Sequence, residues 1–115
     1  MKNISIIRKQ DEMLIIENRQ FQLFSYNEII DLVYDAPYVC IRTSKGNKLV
    51  FSSLLNLMRY LPKHFVYCNR AVIINVMQVE FYDKKEGIVR LKNGTSHLVS
   101  VRRRKEVEKL LLTLH

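Results

Sequence analysis

The chain has 115 residues, 48% of them apolar and 26% charged, and its 19 Lys and Arg against 11 Asp and Glu give a net charge of +8. That length suits one domain with an ordinary core, no apolar run approaches the roughly 18 residues of a membrane span, and three Gly and two Pro exclude a collagenous or low-complexity chain. Residues 1–40 hold four basic and six acidic side chains, residues 41–115 hold fifteen and five, and no carboxylate occurs from Ala36 to Val79, a distribution that suits either a polyanionic partner or solubility alone.

In chain order, Ile4–Ile7 and Met13–Ile16 are strand-like runs around a charged turn, with no apolar stretch of a secretory signal before them. Gln20–Phe24 alternates, with Phe21 and Leu23 on one face. Ile29–Tyr34 and Tyr38–Thr43 are strands separated by the breaker Asp35-Ala36-Pro37, and Ser44 to Asn47 form a turn before Lys48–Phe51. Ser52 and Ser53 offer capping hydroxyls. Leu54, Leu57, Met58 and Leu61 then make one helical stripe, so a short internal helix is expected at about 53–61, ended by Pro62. Phe65–Cys68 and Ala71–Ile74 are apolar β runs. Met77–Tyr82, Gly87–Lys92 and Ser96–Val99 form a meander whose Asn93-Gly94 predicts a type I′ hairpin. A closing helix is expected at about 102–114, with Val107, Leu110, Leu111 and Leu114 on its apolar side. The expected fold is mostly β, about nine antiparallel strands in a single domain over 1–115.

The search for catalytic chemistry is empty. His64, His97 and His115 have no Ser/Asp or Cys/His companions in sequence, and His64 and Cys68 would stand about 13 Å apart on a strand, too far to share a metal. Cys40 and Cys68, each in an apolar run, fit buried reduced thiols of a cytoplasmic protein. No enzyme activity, cofactor or metal is expected.

Three places break local rules. Ser100 is a good helix cap, yet Arg102, Arg103, Arg104 and Lys105 follow it, against the helix dipole and against one another. Such a cluster is either a solvated basic face or a phosphate site, where helix-start amides and guanidiniums would act together. Asn69-Arg70 interrupts two apolar runs. It is either a hairpin turn or a pair of base readers, since Arg matches the O6/N7 edge of guanine and Asn the N6/N7 edge of adenine. Asn75 is expected to cap backbone groups at a buried strand end.

The order Ile-Ile-Asp-Leu-Val-Tyr, Tyr-Val-Cys-Ile-Arg-Thr, a Gly turn, a Leu-rich helix ending in Leu-Pro, Phe-Val-Tyr-Cys-Asn-Arg-Ala-Val-Ile-Ile-Asn, an Asn-Gly hairpin and Val-Ser-Val-Arg-Arg-Arg-Lys resembles the LytTR family of bacterial DNA-binding domains over about residues 15–112. The resemblance implies small antiparallel sheets stacked into an elongated module. It implies a transcription regulator that binds double-stranded promoter DNA at direct repeats, reading it with loops rather than a recognition helix. The matching loops are Asp35-Ala36-Pro37, Asn69-Arg70-Ala71 and Ser100-Val101-Arg102. Asn69 and Ala71 stand where the family usually has His and Ser.

On that basis Pro37, Asn69, Arg70 and Arg102 are the expected base contacts, and Tyr38, Lys45, Ser100, Arg103, Arg104 and Lys105 the expected phosphate contacts. The length leaves no room for a receiver domain, so the resemblance is to the stand-alone members, or else the chain is a piece of a longer protein. Expected partners are duplex DNA, with a second copy on a direct repeat and a membrane or signalling protein as further candidates, and no small-molecule substrate. Two alternatives stand beside this reading. One is a protein-interaction module of the same fold; the other is a small β RNA binder, which would need Tyr34, Tyr38, Tyr67 and Tyr82 exposed on one face for base stacking.

Overall fold

The computed structural model describes residues 3–114, so Met1, Lys2 and His115 lie outside it. An N-terminal sheet is built from β1 (Ile4–Arg8), β2 (Glu12–Glu17) and β3 (Gln20–Ser25) in that order. Met13, Ile15 and Phe24 point inward from it, while Phe21 and Leu23 point out. The turn between β2 and β3 is Asn18-Arg19, with φ of 53° and 64°, the positive values a type I′ turn demands.

The central sheet has five strands: β4 (Ile29–Asp35), β5 (Tyr38–Thr43), β6 (Gly46–Val50), β7 (Phe65–Asn69) and β8 (Val72–Asn75). Their order is β6-β5-β4-β8-β7, antiparallel throughout. Every residue of β8 is buried, because both faces of the sheet are covered. Leu32, Ile41, Phe65 and Ile73 pack towards the N-terminal sheet and helix α1 (Leu54–Met58). Val66, Cys68, Val72 and Ile74 pack the other way. They meet a third sheet, ordered β11-β10-β9, and helix α2 (Arg104–Leu114). Its strands are β9 (Val79–Asp83), β10 (Ile88–Leu91) and β11 (Ser96–Leu98). The three layers make an elongated body of 46 × 27 × 23 Å.

Eleven strands are present among the described residues, one for each of the strand-like runs named in the sequence, where a total of about nine was expected. The internal helix is shorter than 53–61. Ser53 caps it by accepting the Asn56 N–H at 3.0 Å. After Met58 only i→i+3 bonds continue, from Tyr60 to Leu57 and from Leu61 to Met58. Of the expected stripe, Leu54, Leu57 and Leu61 are nonetheless buried and Met58 is half-buried.

The Asn93-Gly94 hairpin forms, but not with a type I′ turn. Gly94 N–H donates to Leu91 O, Leu91 N–H to Thr95 O, and only Gly94 has positive φ. This is the three-residue loop that ends in a glycine bulge. Ser100 does not cap the last helix with its side chain. The chain first makes a 3-10 turn over Val101–Arg103, and α2 begins at Arg104. Asn75 does cap, from a fully buried position. Its Nδ2 donates to the carbonyls of Ile29 at 2.9 Å and Tyr26 at 3.3 Å, and its Oδ1 accepts the Met77 N–H at 2.9 Å.

Candidate nucleic-acid interface

Three connections gather at one end of the central sheet. Strands β4 and β5 turn there through Asp35-Ala36-Pro37, with a cis Ala36–Pro37 bond. Strands β7 and β8 turn there through Arg70-Ala71. The two turns are tied by the Tyr34 N–H, which donates to Ala71 O at 2.9 Å. The third connection leaves β11 for α2, and the Ser100 N–H donates to Cys68 O at 3.0 Å. These are the three loops singled out by the sequence.

Between the second and third loops lies an open cleft of about 420 Å³ lined by Asn69, Arg70, Leu98, Ser100, Arg102 and Arg103. Five of the ten expected contact residues therefore converge on one concavity. A neighbouring depression is lined by Arg102, Arg103, Lys105, Glu106 and Lys109. Arg70, Arg102 and Lys105 are exposed. Arg103 instead stacks over the Tyr67 ring at 5.0 Å and lies 3.9 Å from Glu106.

The cleft floor is firmly held. Asn69 uses both ends of its amide within the chain, with Nδ2 donating to Leu98 O at 2.8 Å and Oδ1 accepting the Ala71 N–H at 2.9 Å. Of the two alternatives for Asn69, the turn-forming one is what these bonds build. Below it, the buried Cys68 thiol faces Leu98 O at 3.5 Å, and burial pushes that thiol up to about 12, with the Asp31 charge adding to the effect. Cys68 is thus a neutral packing group at physiological pH.

Three other expected residues do not line the cleft. Arg104 turns inward: its Nε donates to Val99 O at 3.2 Å, and its guanidinium packs against Gly87, which has φ of +69° and where a Cβ would displace that guanidinium. Tyr38 packs edge-on against Phe51 at 5.9 Å and lines a groove with Gln22 and Lys48. Lys45 sits in the β5–β6 turn, at the far end of β5 from Pro37, roughly 20 Å along the strand. Its Nζ lies 2.9 Å from Glu28 Oε2.

One constellation escaped the sequence. Asp31 on β4 is fully buried and accepts from Arg42 on β5, with Nε to Oδ1 at 2.6 Å. Its Oδ2 also lies 2.7 Å from His97 Nε2 on β11. Burial alone would raise the Asp31 carboxyl, but the bonds from Arg42 and His97 and their charges hold it below its ordinary value. The cluster pins β11, the strand that leads into the cleft, onto the central sheet. An Asp inside the apolar run Ile-Ile-Asp-Leu-Val was the one available signal, because a buried carboxylate requires partners.

The sequence profile of the LytTr DNA-binding domain matches residues 19–112. None of the curated proteins matches the chain. A solved structure described as the LytTr DNA-binding domain of a methyl-accepting/DNA response regulator from Bacillus cereus has the same fold, with a TM-score of 0.70 at 19% identity over 96% of this chain and 98% of that one. The chain belongs to the LytTR family of DNA-binding domains, and its general role is DNA binding in the regulation of transcription.

Proposed function

We propose that this LytTR domain binds double-stranded promoter DNA sequence-specifically, at direct repeats, by placing the Arg70 turn and the Ser100–Arg102 segment against the duplex. The observation that carries the reading is the convergence of Arg70, Ser100, Arg102 and Arg103 on one cleft. Among the described residues, no hydrogen bond or ion pair engages the side chain of Arg70, Arg102 or Lys105. A guanidinium free of internal partners on a rigid turn can fork onto a guanine edge with little further ordering. In this reading Arg70 and Arg102 contact bases, with Pro37 on the adjoining turn. Ser100, Arg103 and Lys105 contact phosphates, and Asn69 positions Arg70. Arg104 supports the loop from behind, while Tyr38 and Lys45 fall outside the contact set.

The RNA alternative gains no support from the tyrosines. Tyr67 lies under Arg103, Tyr82 is bonded to Glu108 at 2.7 Å and Tyr38 packs on Phe51, so they form no shared stacking platform. The test is repeated selection of binders from a random duplex pool, followed by titration against the enriched duplex, a scrambled duplex and single-stranded RNA. Enrichment of a repeated motif, bound at least tenfold more tightly than its scramble, is expected. Equal binding of all three would overturn sequence-specific readout.

A further inference from the structure

Two side chains beside the cleft are of the wrong kind for a surface that only grips phosphate. Leu98 is 61% exposed and Val101 is 79% exposed; Leu98 lines the cleft with Arg70, Arg102 and Arg103, and Val101 lies between the cleft residues Ser100 and Arg102 in the chain. The segment that carries them is not loose. Leu98 O accepts from Asn69 Nδ2 at 2.8 Å, Val99 is fully buried, and the Ser100 N–H is bonded to Cys68 O. The Arg103 N–H closes the next turn onto Ser100 O at 2.9 Å. The buried Val99 turns its strand neighbour Leu98 outward, and Val101 is exposed where the chain enters the 3-10 turn after Ser100. Folding gains little from either side chain, since each leaves most of its surface in water.

Resting on the reading that this cleft meets duplex DNA, we propose that Leu98 and Val101 read the C5-methyl group of thymine, and so specify T at positions next to the bases contacted by Arg70 and Arg102. The major-groove edge of a base pair offers donors, acceptors and a single apolar group, the thymine methyl. The surrounding cations suit a polyanion and would oppose a wholly apolar protein partner. Val101 is β-branched and held in few rotamers, so contact costs it little entropy.

The test uses the duplex enriched from a random pool, with each thymine replaced in turn by deoxyuridine, which lacks only the methyl. Wild-type affinity should drop about fourfold at one or two positions, the magnitude expected for one buried methyl-sized group. In Leu98→Ala or Val101→Ala the loss should vanish at one of those positions and persist at the other, with melting temperature unchanged. If wild type binds every deoxyuridine duplex as tightly as its thymine parent, or if both variants keep the full uracil penalty, methyl readout is overturned while sequence-specific binding stands. If no duplex is enriched at all, both readings fall together.

Discussion

Arg70 occupies a two-residue turn between a strand ending in Tyr67-Cys68-Asn69 and one that is buried along its whole length. Its backbone is fixed on both sides and its guanidinium is free, a combination that favours recognition over stability. Arg70→Ala should weaken binding to the enriched duplex by about 1–3 kcal/mol and relax preference at one base pair, while Arg70→Lys should recover part of it. Binding titrations against single-base variants, with thermal melts as the control, check this; uniform weakening of all duplexes would place Arg70 on phosphate instead. Its position in an exposed turn was legible in sequence because a polar pair between two apolar runs is anomalous. The Asp31 cluster was not, since 66 positions separate His97 from Asp31. Its prediction concerns acid. The Asp31 carboxyl is held low in the folded state, so its contribution is complete above the ordinary value of 3.8 and is lost as pH falls through the lower, folded-state value. Asp31→Asn should cost about 3–5 kcal/mol at pH 7, because it leaves the Arg42 charge without its partner. It should also flatten the fall in stability below pH 4. Denaturant titrations at several pH values measure both, and a variant whose acid limb matches wild type would remove Asp31 from the account.

At the scale of elements, the apolar spacing of Leu54, Leu57 and Leu61 located α1, and alternation located most strands, since burial on one face writes a period into the sequence. Turn chemistry was less legible. Asn-Gly was the stronger type I′ signal, yet its hairpin takes three residues and a bulge, whereas Asn18-Arg19 adopts positive φ at both positions. The pairing of Glu17 with Gln20 leaves two residues to close β2 and β3, and that register overrides the local preference of Arg. Asn75 shows the opposite case, an element boundary fixed by one side chain. Its amide joins the end of β8 to the start of β4 by satisfying two buried carbonyls and the partly buried Met77 N–H. Asn75→Ala should lower unfolding free energy by about 2–4 kcal/mol, the cost of buried polar groups left without partners. Asn75→Asp, which keeps the acceptor but turns the donor into a carboxylate facing two carbonyls, should be no milder. Urea titration checks both, and a loss under 1 kcal/mol for the alanine variant would mean that water enters and replaces the amide.

Across the whole molecule, the surplus of cations sits on one side of the central sheet. The N-terminal sheet and its turns balance Asp11, Glu12 and Glu17 with Arg8, Lys9 and Arg19, whereas the segment that ends in α2, on the other side, sets Arg102, Arg103, Arg104, Lys105 and Lys109 against Glu106 and Glu108. The sequence showed the imbalance between residues 1–40 and 41–115, but not which cations would share a face, because that depends on how the strands are ordered. Lys45 is the test of that distinction. It lies within the basic half of the chain, yet the topology carries it to the far end of β5 and beside Glu28. Arg70, Arg102, Arg103, Lys105 and Lys109 line the cleft and its neighbouring depression. If Arg70 and Arg102 meet bases and the other three meet phosphate, log K should fall with log salt at a slope near −2.7, from about 0.9 per neutralised phosphate. Lys105→Ala should make that slope less negative by about one unit, and Lys45→Ala should leave it unchanged. Titrations of the enriched duplex between 50 and 300 mM salt measure all three slopes. Equal shifts for Lys45 and Lys105 would mean that the duplex follows the full length of the central sheet rather than the end where the loops gather.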